Sequence, residues 1–473
     1  MQVQSMHFKQ RAGQKLADVR LQKNLKKLAD KFVTARSAAI VELDDFEATR
    51  SAAVERRERV LANLDAWLQT FERNATARGA QVLFAETHEE AARLIVGIAE
   101  AHGVRKVTKS KSMVSEEIGL NHALEAAGVQ PVETDLGEYI LQINDNEAPS
   151  HIIAPVIHKD KEEISDLFAR SHARERKTEI TQLTREAREV LRGHFLSADM
   201  GVTGANFLIA ETGSAAVVTN EGNEGMCTIM PPKVHVVLTG IEKLLATLED
   251  FATLMRLLPR SATGQPISNY VSILTGPKRE GEVDGPEHMY YVLVDAGRSG
   301  LIGSEFQPML RCIRCGACMN HCPVYQKVGG HTYGWVYPGP MGSVLTPNYV
   351  GIENALDLPH AATFCNQCSV VCPVKIPLPD LMRKLREQQW QRRLRPWHER
   401  VGLAAWAFAA KRPELYAWAA KWGVRALKSL GGRERRIRSL PLGAGWTTSR
   451  DLPAPSGKTF RELYRERQRS TGR

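Results

Sequence analysis

The sequence predicts an α/β domain, then a small, mostly helical, cysteine-rich domain, and finally a basic helical tail. Three observations support this order. Strand-like and helical runs alternate between residues 76 and 303, seven of the eight cysteines lie between 312 and 372, and the excess of positive charge follows residue 380. We therefore divide the chain into the segments 1–75, 76–303, 304–380 and 381–473.

The composition is that of a folded globular protein. The chain has 473 residues, 43% hydrophobic and 25% charged, and this length exceeds what one compact core holds. No apolar run reaches the roughly 18 residues that a membrane-spanning helix needs, and the N-terminus lacks the apolar stretch of a secretory signal. We expect a cytoplasmic protein, in which clustered cysteines bind metal rather than form disulfides.

Residues 1–75 are predicted to form a helical segment. Apolar residues recur three and four positions apart in LADVRLQKNLKKLADKFVTAR and again in ERRERVLANLDAWLQTFERN, which is the spacing of one helix face.

From Gly79 onward, short apolar runs alternate with helical stretches. The runs AQVLFA, RKVTKS and VQPVETD are interleaved with HEEAARLIVGIAEAHG and MVSEEIGLNHALEAAG, and later runs are NFLIAETGSAAVVTN, HVVLTGIEKLL, YVSILTG and MYYVLVDAG. This alternation is typical of an α/β domain with a mostly parallel sheet. We also interpret SHIIAPVIH, residues 150–158, as strand-like.

The cysteine spacing is the most specific feature of the chain. RCIRCGACMNHCP, residues 311–323, has the spacing C-x2-C-x2-C-x3-C, and the second group, FCNQCSVVCP, also ends in Cys-Pro. A structural zinc site would use two separated pairs of ligands, whereas bacterial ferredoxins use this spacing for cubane iron–sulfur clusters. The pattern favours a two-cluster, ferredoxin-like domain over a zinc site.

In two-cluster ferredoxins, the last cysteine of each group binds the cluster of the other group. The same exchange predicts two sets of metal ligands here: Cys312, Cys315, Cys318 and Cys372 for the first cluster, and Cys322, Cys365 and Cys368 for the second. The second set lacks a cysteine because Ala362 stands three positions before Cys365. We expect a [4Fe–4S] cluster at the first site. The second would hold either a [3Fe–4S] cluster or a [4Fe–4S] cluster completed by His321, His360, water or substrate.

Two further groups of residues are weaker candidates. The turn from Glu211 to Ser214 could hold an anion through its backbone amides, with Lys109 or Lys111 supplying charge; an ordinary glycine turn beside a solvated lysine is an equal alternative. His151 and His158 lie seven residues apart, and we expect packing roles rather than a metal pair.

The sequence gives no indication of a nucleotide site. No G-x-G-x-x-G motif follows a predicted strand, and SGKTF near the C-terminus lacks the first glycine of a P-loop. Neither a nicotinamide nor a flavin is implied, and we assign no catalytic residue and no organic cofactor to this chain.

The C-terminal region, 381–473, is basic and rich in tryptophan. It holds 23 of the 63 Lys and Arg residues, 7 of the 53 Asp and Glu residues, and six of the eight Trp residues. Pro413 should divide its apolar stretch into two helices. Such a region suits a partner protein or tertiary packing first, a membrane surface second, and nucleic acid third, because a solvated face is the usual explanation of a charge run.

The segment between the cysteine groups, YQKVGGHTYGWVYPGPMGSVLTP, is distinctive, as are ETDLGEYILQI, SHIIAPVIHKDKEEI and ETGSAAVVTNEGN. On these segments the chain resembles the lactate utilization protein B family over essentially its full length. The resemblance implies an iron–sulfur subunit that transfers electrons, rather than a catalytic one, in a system that oxidises L-lactate to pyruvate. It also implies two [4Fe–4S] clusters on the same seven cysteines, and an α/β domain like that of CoA transferases and ribose-phosphate isomerases.

The implied partners are the companion subunits of the lactate-oxidising system. We expect electrons to pass from one of them to a further acceptor, a quinone or a membrane-associated protein, with the chain peripheral at the inner face of the membrane. The alternative is a ligand-binding α/β protein whose clusters are structural or sensory. A nucleic-acid role would depend on the tail alone, and nucleic acid is not an expected partner.

Overall fold

The structure, a computed structural model, describes residues 3–440, 443–447 and 450–470, without the side chains of residues 226, 227, 444 and 445. The chain forms two compact units, Met1–Gln389 and Trp390–Arg473.

The first unit begins with four helices, as the spacing of apolar residues predicts. Helix α2 buries Leu21, Leu25 and Ala29 along one face, and the Asp18 carboxylate caps it by accepting a hydrogen bond from the Leu21 amide. The helices are α1 (Phe8–Leu16), α2 (Val19–Val41), α3 (Phe46–Leu61) and α4 (Leu64–Ala77).

A six-stranded, fully parallel sheet forms the core of the α/β domain, which confirms the predicted fold class. Its strand order is β1-β10-β7-β4-β2-β3. These strands are β1 (Gln81–Ala85), β2 (Lys106–Lys109), β3 (Gln130–Glu133), β4 (Met200–Thr203), β7 (Val234–Gly240) and β10 (His288–Val294).

Both faces of this sheet are covered. Val236 belongs to a core cluster that includes Ile95 of the helix following β1, whereas its neighbour Val237 belongs to the opposite cluster with Phe71 of α4. Strands buried on both sides read as continuous apolar runs, which explains the HVVLTG sequence of β7.

A smaller four-stranded sheet lies within the same domain, with the order β8-β5-β6-β9. Strand β6 is antiparallel to β5 and to β9, whereas β5 and β8 are parallel. The strands are β5 (Phe207–Ile209), β6 (Ser214–Thr219), β8 (Leu244–Leu245) and β9 (Tyr270–Leu274).

Eight helices connect the strands of the two sheets. Thr87 and Thr247 cap the helices that follow them by accepting a hydrogen bond from a first-turn amide. The helices are α5 (His88–Ala101), α6 (Met113–Glu117), α7 (Leu120–Ala126), α8 (Leu136–Ile143), α9 (Lys161–Ser171), α10 (Ile180–Leu196), α11 (Leu248–Met255) and α12 (Leu258–Ala262).

The strand-like interpretation of residues 150–158 is wrong, because this segment consists of bends and turns. The His151 Nδ1 atom accepts hydrogen bonds from the amides of Ile153 and Ala154. Those amides are therefore engaged locally, and Pro155 has no amide hydrogen to give a neighbouring strand.

The cysteine-rich segment is helical in short pieces, as predicted. Its helices are α13 (Ala317–Asn320), α14 (Tyr325–Val328), α15 (Gly339–Tyr349), α16 (Gln367–Val370) and α17 (Leu378–Gln391).

The second unit is mostly helical. Pro413 is the first residue of α19, which confirms the predicted break. Its elements are α18 (Trp397–Ala410), α19 (Pro413–Leu430), β11 (Arg436–Ile437), α20 (Ala444–Thr447), β12 (Leu452–Pro453) and α21 (Phe460–Ser470). Within the described ranges, no helix has both the length and the apolar character needed to cross a membrane.

Candidate iron–sulfur centres

The two cysteine groups fold into the same local structure, fifty residues apart. Arg314 and Gly316 in the first group adopt left-handed backbone conformations, with φ of 56° and 74°. Phe364 and Asn366 occupy the same positions of the second group, with φ of 55° and 64°.

A four-residue helix follows each loop, α13 in the first group and α16 in the second. In this repeat, Ala362 takes the place that Cys312 has in the first group. The eighth cysteine that two complete sets would need is therefore replaced by Ala362. The loop around Ala362 keeps the same backbone conformation as the first loop.

The thiols of Cys312, Cys315, Cys318 and Cys372 lie close enough to interact electrostatically. Burial, followed by the charges of Cys372 and Cys312, raises the pKa of Cys315 to about 12. The pKa of Cys318 is raised for the same two reasons, burial first and then the neighbouring thiols. The structure thus brings together the four cysteines of the first predicted set.

Cys322, Cys365 and Cys368 form a second group. Burial, followed by the charges of Cys322 and Cys365, raises the pKa of Cys368 to about 12. Burial and the charge of Cys365 also raise the pKa of Cys322. All three side chains line one small cavity together with Ala362. Cys365 is exposed, whereas Cys322 and Cys368 are buried.

These thiols fit iron–sulfur clusters. Buried thiolates that repel one another are unstable as free groups, whereas iron would supply the positive charge that holds them ionised. The tight left-handed turns also bring three thiols of one loop to a common point. The pKa of Cys318 responds to Cys368 of the other group, so the two groups are neighbours.

The structure does not bring the two candidate histidines to the second group. His360 Nε2 lies 3.0 Å from Gln389 Oε1, and His321 Nδ1 lies 2.9 Å from the Ala317 carbonyl oxygen. Neither residue lines the cavity of the three cysteines, which instead presents Thr363, Asn366 and Met382.

Several cations surround the first group, and none of them was a predicted ligand of a cluster. Arg50 Nη2 donates to the Cys372 carbonyl oxygen at 2.6 Å, Arg36 Nη2 donates to the Val371 carbonyl oxygen at 2.7 Å, and Lys243 Nζ lies 3.4 Å from the Cys312 carbonyl oxygen. They come from α2, α3 and the end of β7. Arg311 and Arg314 lie within the cysteine motif itself, whereas Arg36, Arg50 and Lys243 come from segments without such a motif.

The candidate anion site at Glu211–Ser214 is occupied by protein. Asn74 Nδ2 donates to the carbonyl oxygens of Ala210 and Glu211, and a Cβ atom at Gly213 would lie 2.3 Å from the Ala75 amide nitrogen. The turn therefore packs against the end of α4, which matches the alternative of a structural glycine turn.

The two candidate lysines have different environments. Lys109 is buried and lies 2.8 Å from the Glu133 carboxylate. Lys111 is half-buried and lines a separate cavity.

His151 is a packing residue, as predicted. It is buried, stacks on Phe32, and places Nε2 2.9 Å from Asn320 Oδ1. His158 does not pair with it; Nε2 of His158 lies 2.9 Å from Glu147 Oε1 instead.

Glu147, His158 and His331 place one ligand atom each within 4.8 Å of one another. The Lys159 ammonium, 2.6 Å from Glu147, already supplies positive charge at that point. We therefore assign no metal to this group.

Three family models match the chain in succession: the LUD domain at residues 68–294, the 4Fe-4S dicluster domain at 308–376, and "Lactate utilisation protein B, C-terminal" at 381–469. The second match, together with the grouped thiols, identifies the cysteine-rich segment as an iron–sulfur domain.

Full-length relatives are similar to the chain from end to end. Lactate utilization protein B of Geobacillus kaustophilus is 44% identical over 93% of both chains, and that of Bacillus subtilis is 42% identical over 99% of this chain and 98% of its own. A crystal structure of a DUF162 family protein from Deinococcus radiodurans covers 49% of this chain and 98% of its own, at 12% identity and a TM-score of 0.27, and it adds nothing to the fold described above.

Proposed function

This chain belongs to the lactate utilization protein B family, and on that premise we propose that it is the iron–sulfur electron-transfer subunit of a multi-subunit system that oxidises L-lactate to pyruvate. The observation that carries the proposal is the adjacency of two groups of cysteines in one repeated fold. Oxidation of one lactate releases two electrons and two protons, and iron–sulfur clusters, when bound, accept and pass on electrons one at a time.

We assign Cys312, Cys315, Cys318 and Cys372 to a [4Fe–4S] cluster, and Cys322, Cys365 and Cys368 to a [4Fe–4S] or [3Fe–4S] cluster. The mutual effects of the thiols on their pKa values support this division. The chain's own contribution is to hold the two sets side by side. It also surrounds the first set with cations, which favour the more negative, reduced state.

The exposed Cys365 marks one side of the second set as open to a partner. We infer that a companion subunit exchanges electrons with the second cluster at this side. The buried first cluster would then exchange electrons with the second cluster, inside the protein.

The remaining parts of the chain receive more general roles. The α/β domain would share the CoA-transferase and ribose-phosphate-isomerase-like architecture that the family resemblance implies, within the boundaries 76–303. The segments 1–75, 304–380 and 381–473 would be the helical lead-in, the cluster domain and the tail.

We further propose that the tail docks on a membrane-associated acceptor, a quinone-reducing one for example, from the cytoplasmic side. Trp397, Trp406 and Trp418 are 72%, 63% and 61% exposed on α18 and α19. Helix α18 carries Arg400, and α19 carries Lys421, Arg425 and Lys428, with the Arg425 guanidinium 5.6 Å from the centroid of the Trp422 ring. Exposed tryptophan beside basic residues suits an anionic membrane surface or the partner bound to it.

The experiment that tests this function is anaerobic reduction by L-lactate in the presence of the companion subunits, followed by EPR. We expect a reduced-cluster signal in the wild-type chain. Cys315→Ser should abolish the signal of the first cluster and the electron flow, whereas Cys227→Ser, outside both groups, should change neither. Undiminished flow in Cys315→Ser would contradict the proposal.

A ligand-binding protein with structural or sensory clusters is the second candidate, because the α/β domain contains a cavity of about 270 Å³. This alternative predicts clusters whose oxidation state does not respond to lactate in the same experiment.

A further inference from the structure

A cavity of the first unit lies at the carboxyl ends of the parallel strands, where α/β sheets bind their ligands. Its volume is about 270 Å³, just below the ~300–1,000 Å³ of drug-sized sites, so it suits a small molecule. Its lining includes Lys111, Asp135, Gly204 and Lys243, which lie one to three residues beyond the ends of the neighbouring strands β2, β3, β4 and β7.

The same cavity touches the first cysteine loop. Ile313 and Arg314, between Cys312 and Cys315, form part of its wall. A molecule bound there would lie against the backbone that carries the first cluster. No nucleotide or nicotinamide motif accounts for this space.

Lys243 contributes a buried positive charge to the wall of the cavity. Its side chain is buried, with the residue 6% exposed, yet its ammonium has no carboxylate within ion-pair distance among the residues that the structure describes. Within the described part of the chain, its hydrogen bond is the 3.4 Å contact with the Cys312 carbonyl oxygen. Besides the nearby charges of Glu242 and Cys312, an anion in the cavity would give this buried cation a direct partner and so lower the cost of burying it.

Arg314 adds a second cationic group to the wall. Its guanidinium lies 4.7 Å from the centroid of the Tyr337 ring. The Arg314 Nη2 atom lies 3.4 Å from Glu242 Oε1, which is a long and therefore weak ion pair. Guanidinium and ammonium groups together bind carboxylates through charge-assisted hydrogen bonds.

The acidic residues of the cavity limit the charge of its ligand. Asp135, Glu221, Glu224 and Glu242 line it as well; Glu242 is paired with Arg298 at 2.8 Å, and burial raises the pKa of Glu224 to about 8. With Glu242 paired and Glu224 protonated at neutral pH, Lys111, Lys243 and Arg314 face Asp135 and Glu221, so the small excess of positive charge suits a monocarboxylate better than a dianion such as phosphate. The apolar side chains of Met113, Ile152 and Leu238 complete the wall and suit a short carbon chain.

We propose that this cavity binds a small monocarboxylate, a 2-hydroxy or 2-oxo acid, between Lys243 and Arg314 and directly beside the first cysteine loop. The inference depends on the proposed function for the choice of acid. It goes further by placing substrate or product on this chain rather than only on a companion subunit.

The test is equilibrium binding to the anaerobically purified, cluster-containing chain by calorimetry, with L-lactate, pyruvate and inorganic phosphate as probes. We expect one site per chain for L-lactate or pyruvate and at least tenfold weaker binding of phosphate. Lys243→Met should weaken binding about tenfold or more, and Lys243→Arg should retain most of it.

Lys233→Met is the matched control, because Lys233 is exposed and precedes β7 at the opposite end of the same strand; it should bind as the wild type does. Iron content and EPR spectra establish that each variant keeps its clusters. If Lys243→Met fails to load iron, the half-buried Lys111→Met variant, which should also weaken binding, takes its place.

Three results would overturn the inference: no saturable binding to the wild-type chain, phosphate binding as tight as carboxylate binding, or unchanged binding in a cluster-loaded Lys243→Met variant whose cluster potential has shifted. The last would mean that Lys243 only balances the charge of the cluster. Absent binding with intact lactate-driven reduction leaves the proposed function standing, whereas binding without cluster reduction contradicts the proposed function alone.

Discussion

Arg298 is a buried ion-pair centre whose removal should destabilise the first unit strongly. The residue is fully buried, with Nη2 2.9 Å from Glu117 Oε2 and Nε 2.8 Å from Glu242 Oε2. Its guanidinium also lies 4.8 Å from the centroid of the Tyr349 ring in the segment between the cysteine groups. Arg298→Met would leave two buried carboxylates without their principal cation.

The substitution should lower the free energy of unfolding by several kcal/mol. Removing one partner of a buried ion pair typically costs about 3–5 kcal/mol. Burial by itself would raise the pKa of Glu117, but Arg298, His88 and Tyr337 lower it from 4.5 to about 2. A shift of that size corresponds to about 3 kcal/mol of linked stability.

The lowered pKa of Glu117 also predicts how the stability difference between wild type and Arg298→Met varies with pH. A carboxyl group with a lowered pKa in the folded state contributes its full stabilisation above about pH 5 and loses it as the pH falls toward 2. The difference in stability between wild type and Arg298→Met should therefore be largest at pH 7 and should shrink between about pH 5 and pH 3.

The assay is anaerobic urea unfolding of the full chain at several pH values, followed by circular dichroism. Arg256→Met is the matched control, because Arg256 pairs with Asp45 at 2.6 Å on a surface where both side chains are about half exposed. It should cost at most about 1 kcal/mol. An Arg298→Met variant no less stable than Arg256→Met, or a difference independent of pH, would refute the reasoning.

Three further predictions concern the clusters. Ala362→Cys restores the ligand that Cys312 provides in the first loop, so we expect it to slow the loss of iron from the second cluster in air, and an unchanged rate of loss would contradict the match between the loops. His321→Ala and His360→Ala should each leave the iron content and the EPR spectrum unchanged, because neither side chain lines the second site; a lost signal would assign a ligand. Arg50→Met removes a cation bound to the Cys372 carbonyl and should lower the midpoint potential of the first cluster by tens of millivolts, measured by EPR-monitored redox titration, with no change in the second.

Local patterns were sufficient for part of the first unit, whereas β4 and helices α8 to α12 lay outside the predicted runs. The apolar run of β7 and the helical spacing of α2 predicted both elements because each depends on neighbours in sequence. The error at residues 150–158 came from side-chain chemistry, since His151 holds the local amides in turns. An apolar run cannot reveal that competition.

The cysteine groups were predictable because their spacing encodes their geometry. The charged surroundings were not predictable, because Arg50, Lys243 and Arg298 come from segments far apart in the chain and meet only through the fold. Lys243 in particular reads in sequence as an ordinary lysine after a strand, and only the structure shows it buried beside the Cys312 loop.

The most direct test of the central claim is EPR on the anaerobically purified chain, as isolated and after reduction, with iron and sulfide counted on the same sample. We expect about seven or eight irons per chain and reduced-cluster signals that interact with one another. Eight irons would assign two [4Fe–4S] clusters, and seven with a [3Fe–4S] signal before reduction would assign the smaller cluster to the second site. A chain that contains zinc, or no metal, would contradict the electron-transfer function.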